Sequence, residues 1–143
     1  GVQTCALPIF LVTIGTLDDK IDMLPALRGL HALGFSLFAT ERTHEFLESR
    51  SIPSVLLYKV SEPRSPNITE YLEKKRIDLV INIPKHYIGR EMTDGYHIRR
   101  LAIDRGISLV TNVQLAKRLV ESLKCVDRDA IDVLSWNTFV ASV

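Results

Sequence analysis

Ile77-Asp78-Leu79-Val80-Ile81-Asn82-Ile83-Pro84 is the stretch that decides the fold. A strand with one wet face alternates apolar and polar residues. Here leucine and β-branched residues follow one another almost without a break, which is the pattern of a strand covered on both faces in a parallel sheet. Pro84 cannot donate to a ladder and ends it.

Downstream, Lys85 to Glu91 reads as a loop containing Gly89. Thr93 or Asp94 can cap a helix whose buried side is marked by Ile98, Ala102 and Ile103, with Gly106 as its stop. Ile107 to Thr111 reads as another strand. Val113 to Leu123 follows as an amphipathic helix carrying Leu115, Leu119, Val120 and Leu123.

Upstream, Ile68 to Arg76 is expected as a helix, with Ile68, Tyr71 and Leu72 inward and Glu73-Lys74-Lys75-Arg76 solvated. Residues 61–68 hold prolines, serines and an asparagine, hence a loop. Val55 to Tyr58 reads as a strand, Thr43 to Ser49 as a short helix with Phe46 and Leu47, and Phe35 to Ala39 as a strand. Before these, a helix opens at Asp18-Asp19-Lys20, where acids favour the first turn. It runs through Leu24, Leu27, Leu30 and Leu33 to Gly34. Pro25 fits only its first turn or so, and otherwise implies a kink. Phe10 to Ile14 is the first strand.

Five strand–helix alternations predict an α/β fold: a doubly wound, parallel, five-stranded sheet with helices on both faces, Rossmann-like in architecture. In such sheets ligands lie outside the carboxyl ends of the strands, near the switch point. That rule nominates Thr40, Tyr58-Lys59, Asn82-Ile83-Pro84 and Thr111-Asn112.

The chain has 143 residues, 46% hydrophobic and 24% charged, as one domain with a single packed core requires. Eighteen basic against seventeen acidic residues leave +1, so no strong field draws nucleic acid or an anionic membrane. No apolar run approaches the roughly 20 residues of a membrane span. Cys5 and Cys125 have neither metal nor redox spacing, which suits a reducing cytoplasm. Residues 1–9 read as the translation of a sequencing-library adapter. The natural chain is therefore expected to begin near Phe10, with 10–124 as the domain. Residues 125–143 are expected as a tail laid back on it through Ile131, Leu134, Trp136 and Phe139.

Lys20, Thr40, Thr43, Lys59, Asn82 and Lys85 together make an anion pocket, with cations for charge and hydroxyls and amides for orientation. Each has a plainer reading: a solvated lysine, or a threonine that merely caps a helix. Asn82 ends a buried strand and must find a partner. Arg99 and Arg100 read as the wet face of a helix. His31, His44, His86 and His97 lack metal-ligand spacing. Ser135 has no nucleophile-elbow context, and no Walker or G-x-G-x-x-G glycine loop occurs. No aspartate stands beside the pocket as a base. The residues alone therefore point to binding of a small phosphorylated or carboxylated ligand.

In this order, Asp19-Lys20, Gly34-Phe35, Ala39-Thr40-x-x-Thr43, Tyr58-Lys59-Val60, Asp78 to Asn82 and Ile98-Arg99-Arg100-x-Ala102 carry a resemblance that spans Phe10 to Leu123. The chain resembles the methylglyoxal-synthase-like (MGS-like) domain that closes the large subunit of carbamoyl phosphate synthase. The resemblance implies a methylglyoxal synthase-like fold that binds allosteric effectors and performs no catalytic step itself. It implies an effector site of Lys20, Thr40, Thr43, Lys59, Asn82, Lys85 and Gly95, with Thr40 and Thr43 as the phosphate-binding pair. Ile83-Pro84 stands where bacterial members carry a threonine pair, and the spacing to Arg99 differs. Acetylglutamate-regulated members share Asn-x-Pro here but carry an aromatic at the place of Lys59, so Lys59 favours a nucleotide such as UMP or IMP.

The implied partners are the rest of the large subunit and its small glutaminase subunit. The domain itself needs no cofactor or metal, while the parent would use ATP with Mg or Mn. Two alternatives stand beside this: a methylglyoxal synthase-type phosphate lyase, or a degenerate domain that binds nothing. The lyase requires a Gly-Asp loop after the third strand and another aspartate after the fourth. Ser65-Pro66-Asn67 and Ile83-Pro84 occupy those places, and neither can serve as the carboxylate base.

Overall fold

A computed structural model describes residues 8–85, 93–126 and 141. The adapter-like residues 1–7, most of the Lys85–Glu91 loop and nearly all of the expected tail, with Ile131, Leu134, Trp136 and Phe139, lie outside the described residues.

Five strands and five helices alternate: β1 (Ile9–Ile14), α1 (Leu17–Ala32), β2 (Ser36–Ala39), α2 (Glu41–Ser49), β3 (Val55–Leu56), α3 (Ile68–Glu73), β4 (Leu79–Ile83), α4 (Asp94–Asp104), β5 (Ser108–Val110) and α5 (Val113–Cys125). The sheet is parallel throughout, in the order β3-β2-β1-β4-β5. The chain winds outward from β1 to one edge, then returns to β4 and winds to the other, so the switch point lies between β1 and β4. Their register pairs Thr13 with Asn82 and Ile14 with Ile83.

Alternate residues of each strand feed two separate cores, as the two-residue period of a pleated strand demands. Phe10, Val12 and Ile14 of β1 and Ile81 and Ile83 of β4 pack with α1, α2 and α5, through Met23, Leu27, Leu47 and Val120 among others. Leu11 and Val80 face the opposite layer, against α3 and α4 through Ile68, Leu72, Ile98 and Ala102. Phe10 stacks on Phe35 with ring centroids 4.6 Å apart. The doubly wound parallel sheet expected from the sequence is therefore the observed one.

Several boundaries differ from expectation for local reasons. α2 begins at Glu41, because the N–H groups of Thr43 and His44 both bond to Thr40 O. α3 stops at Glu73, short of Arg76. Lys75 takes a left-handed φ of 51°, and Arg76 N–H turns back to Tyr71 O. β3 is cut to two residues because Tyr58 exchanges backbone bonds with the Pro66–Ile68 segment instead of β2. Gly34 and Gly106 do end α1 and α4, with φ of 88° and 68° that residues with a Cβ rarely adopt. Pro25 lies well inside α1, not in its first turn. Ile103 and Leu115, expected on buried faces, are 63% and 57% exposed.

Candidate functional site

The C-terminal ends of β1 and β4 and the N-termini of α1, α2 and α4 meet at the switch point. On the side of α1 and α2, Thr43 is almost wholly buried, and its Oγ1 accepts a hydrogen bond from Ile14 N–H at 3.2 Å. This fastens the first turn of α2 to the end of β1 and leaves the hydroxyl hydrogen free to donate. Lys20, one turn into α1, is only 8% exposed, and its Nζ donates to Arg42 O at 3.0 Å. Burial holds its pKa below the usual lysine value, the Arg42 charge lowers it further, Glu45 partly offsets this, and Lys85 lowers it again. An anion here would relieve both the desolvation of Lys20 and its repulsion by Arg42 and Lys85.

The helix caps differ in a telling way. Thr16, Asn67, Thr93 and Asn112 each cap their helix with a side-chain bond to backbone N–H. Thr40 has the N-cap position and backbone of α2 but makes no such bond. The plain capping reading of Thr40 therefore does not hold, and its hydroxyl satisfies none of the N–H groups that open α2.

Lys85 follows β4 and crosses closely over the end of β1. A Cβ placed on Gly15 would meet Lys85 N and Cγ at 2.6 Å. Only a glycine allows the two strand ends to approach so closely.

On the α3 and α4 side, Asn82 is buried beside Thr13, and its Nδ2 donates to Thr13 Oγ1. Arg99 on α4 donates from NH1 to Asn82 Oδ1 at 2.6 Å. Arg99 is thus not on the wet face, unlike Arg100, which pairs at the surface with Asp104. Gly95 lies over this pair: a Cβ there would stand 3.3 Å from Arg99 NH1 and 3.6 Å from both Asn82 Nδ2 and Oδ1. Beyond α4 an open groove of about 490 Å³ continues along β5 between Tyr96, Arg99, Ile103 and Thr111.

Lys20, Thr40, Thr43, Asn82, Lys85 and Gly95 therefore gather at one end of the sheet. Lys59 lies beyond the edge strand β3, two strands from β1. Asn67 Nδ2 donates to Lys59 O at 2.7 Å, and this fixes the backbone there. Among the described residues no hydrogen bond or ion pair joins the Lys59 ammonium to the other site residues. Arg42, Gly15, Thr13 and Arg99 contact these residues directly, and residue type alone does not single them out. Among the described residues no cluster of His, Cys, Asp or Glu could hold a metal, and no helix is long and apolar enough to cross a membrane.

A parallel sheet wound in both directions from a switch point between β1 and β4 defines the class of doubly wound α/β domains. Within that class the family model for the MGS-like domain matches residues 22–111, and the protein belongs to that family. It is 39% identical to the multifunctional protein pyr-3 of Neurospora crassa, over 79% of its own length but 7% of that protein. It is 33% identical to the C-terminal section of a carbamoyl phosphate synthase large chain from Methanocaldococcus jannaschii, over 87% of its own length and 20% of the relative. It thus spans only a small part of the relatives it matches. Among solved structures, methylglyoxal synthase from Elizabethkingia anophelis superposes with a TM-score of 0.60, covering 94% of this protein and 92% of that one at 11% identity. ForH superposes at 0.59, covering 84% and 81% at 15% identity. At such identities these two show a shared fold.

Proposed function

We propose that this protein is the effector-binding, regulatory domain of a carbamoyl phosphate synthase large subunit, and that it takes a phosphorylated ligand, a nucleotide such as UMP or IMP. The observation that carries this is the buried Lys20 ammonium, held beside Arg42, Lys85 and the first turn of α2. A desolvated cation repelled by two others and only partly offset by Glu45 is a poor structural device and a good anion receptor. The phosphate sits on Lys20, Thr43, the uncapped hydroxyl of Thr40 and the N–H groups that open α2. Lys59 closes over the ligand from the edge of the sheet, and Asn82 meets its other end.

Bound effector acts as a coupling free energy on ATP-using sites elsewhere in the parent. That parent is an ATP- and Mg- or Mn-dependent cytoplasmic ligase. It works with a small glutaminase subunit and supplies carbamoyl phosphate for pyrimidine and arginine synthesis. The match to C-terminal sections of the large subunit supports the assignment to that parent. Phosphate release from dihydroxyacetone phosphate by the purified protein would overturn the reading in favour of a lyase. Binding of UMP or IMP with no phosphate release is the expected result.

A further inference from the structure

A single side chain holds the turn that carries Lys59. Lys59 to Glu62 is a β-turn, closed by Glu62 N–H donating to Lys59 O at 3.0 Å. Asn67 Nδ2 donates to Lys59 O at 2.7 Å and to Glu62 O at 2.9 Å, and so grips both ends of that turn. Asn67 Oδ1 accepts from Thr69 N–H at 2.8 Å and caps α3. Only a carboxamide donates twice and accepts once without carrying charge, and the carbonyls on one side with an N–H on the other fix which way it faces. Tyr58 closes the base of the loop: its N–H donates to Pro66 O at 2.9 Å, and its O accepts from Ile68 N–H at 3.0 Å. The turn is thereby tied to α3, whose Ile68 and Leu72 are wholly buried.

This turn stands next to the mouth of the site. Ala39 of β2 registers with Leu56 of β3, and Leu57 N–H donates to Ala39 O at 2.9 Å. Thr40 and Tyr58-Lys59 therefore leave neighbouring strands at the same end of the sheet, where Thr40 opens α2. Neighbouring strands are about 5 Å apart, a separation that a four-carbon lysine stem can bridge.

We propose that Asn67 is a positioning residue: by holding both ends of the 59–62 turn it sets Lys59 beside the opening of α2 before a ligand arrives. The inference rests on the effector reading above, in which Lys59 closes over the ligand, and adds the group that places it. A lysine on a loose loop is ordered at the expense of affinity, whereas on a held turn only its side chain remains to be ordered. Both donors of Asn67 are spent on the turn, so it acts through Lys59 and not on the ligand.

The test measures UMP affinity by calorimetric titration in a double-mutant cycle of Asn67→Ser and Lys59→Ala. Serine keeps a good cap for α3 and adds no charge, but it cannot span both carbonyls of the turn. Asn67→Ser alone should weaken UMP binding about three- to tenfold. In the Lys59→Ala background the same change should cost less than about twofold in affinity, while lowering the unfolding midpoint as much as it does with Lys59 present. A loss of UMP affinity equal in both backgrounds, or none with Lys59 present, would overturn the inference. Amide exchange of the native protein keeps the test valid where Asn67→Ser does not fold. Glu62 N–H should be protected without UMP, and protection that arises only with UMP would equally overturn it. Failure of the native protein to bind UMP, IMP or inorganic phosphate would overturn the effector reading instead.

Discussion

Lys20→Met removes a buried charge and keeps the approximate length and apolar stem of the side group. In the unliganded protein the variant loses one charge-assisted hydrogen bond to Arg42 O, worth about 1.5–3 kcal/mol. It also sheds a desolvated ammonium facing Arg42 and Lys85, which offsets that loss. The two nearly cancel, so the midpoint of thermal unfolding at pH 7 should stay close to that of the native protein. Ligand binding has no such compensation. A phosphate that loses its Lys20 bond forfeits about 1.5–3 kcal/mol, or roughly ten- to a hundredfold in affinity.

The pH dependence has a defined sign. The folded-state pKa of Lys20 lies below its unfolded value, so the unfolded protein binds the proton more tightly. Native stability therefore gains as pH rises through the lowered pKa toward 10.5, and the gain is lost as pH falls back through it. Lys20→Met should lack this increment. Calorimetric titration with UMP and thermal unfolding at pH 7 and pH 10 measure both effects. Unchanged UMP affinity, or a variant destabilised equally at the two pH values, would refute the reasoning.

Lys59→Ala should weaken UMP and IMP binding by roughly tenfold or more. Equal affinities by titration would remove Lys59 from the site, consistent with its distance from β1. Gly15→Ala forces a methyl against Lys85 N and Cγ, and should cost about 1–3 kcal/mol in denaturant unfolding; full stability would mean that the β1 and β4 ends separate freely. Pro25→Ala should raise stability by about 1–3 kcal/mol, because Pro25 is exposed in mid-helix and alanine restores a backbone donor. A lower unfolding midpoint would show that α1 needs the proline.

The layer order of this fold is written plainly in its apolar runs. Ile77 to Ile83 and Phe10 to Ile14 read as buried strands, and Leu79–Ile83 and Ile9–Ile14 are two of the three inner ones. Gly34 and Gly106 stand where two helices must turn left-handed. The edges were harder to read. Val55 to Tyr58 has strand composition throughout, yet Tyr58 finds its backbone partners in the following loop, a tertiary choice that propensity does not record. Ile103 and Leu115 each lie five residues from a buried neighbour, Ile98 and Val120, one step too far around the helix.

The site was legible as a set of residue types and less so as a geometry. Lys20 reads as a surface lysine by composition. Its spacing from Met23, Leu27 and Leu30 places it on the buried stripe of α1, a signal present in the sequence. Arg99 was hidden beside Arg100 on a polar helix. Ile98 and Ala102 mark the buried side, and Asn82 required a partner, so the two facts together could have pointed to it. Arg42 could not have been read this way, because the atom that holds Lys20 is a backbone carbonyl.

Calorimetric titration of the native protein with UMP, IMP and acetylglutamate tests the central claim most directly. The account predicts saturable binding of a nucleotide at one site per molecule, abolished or severely weakened in Lys20→Met. Flat traces for all three ligands, or nucleotide binding indifferent to Lys20, would contradict it.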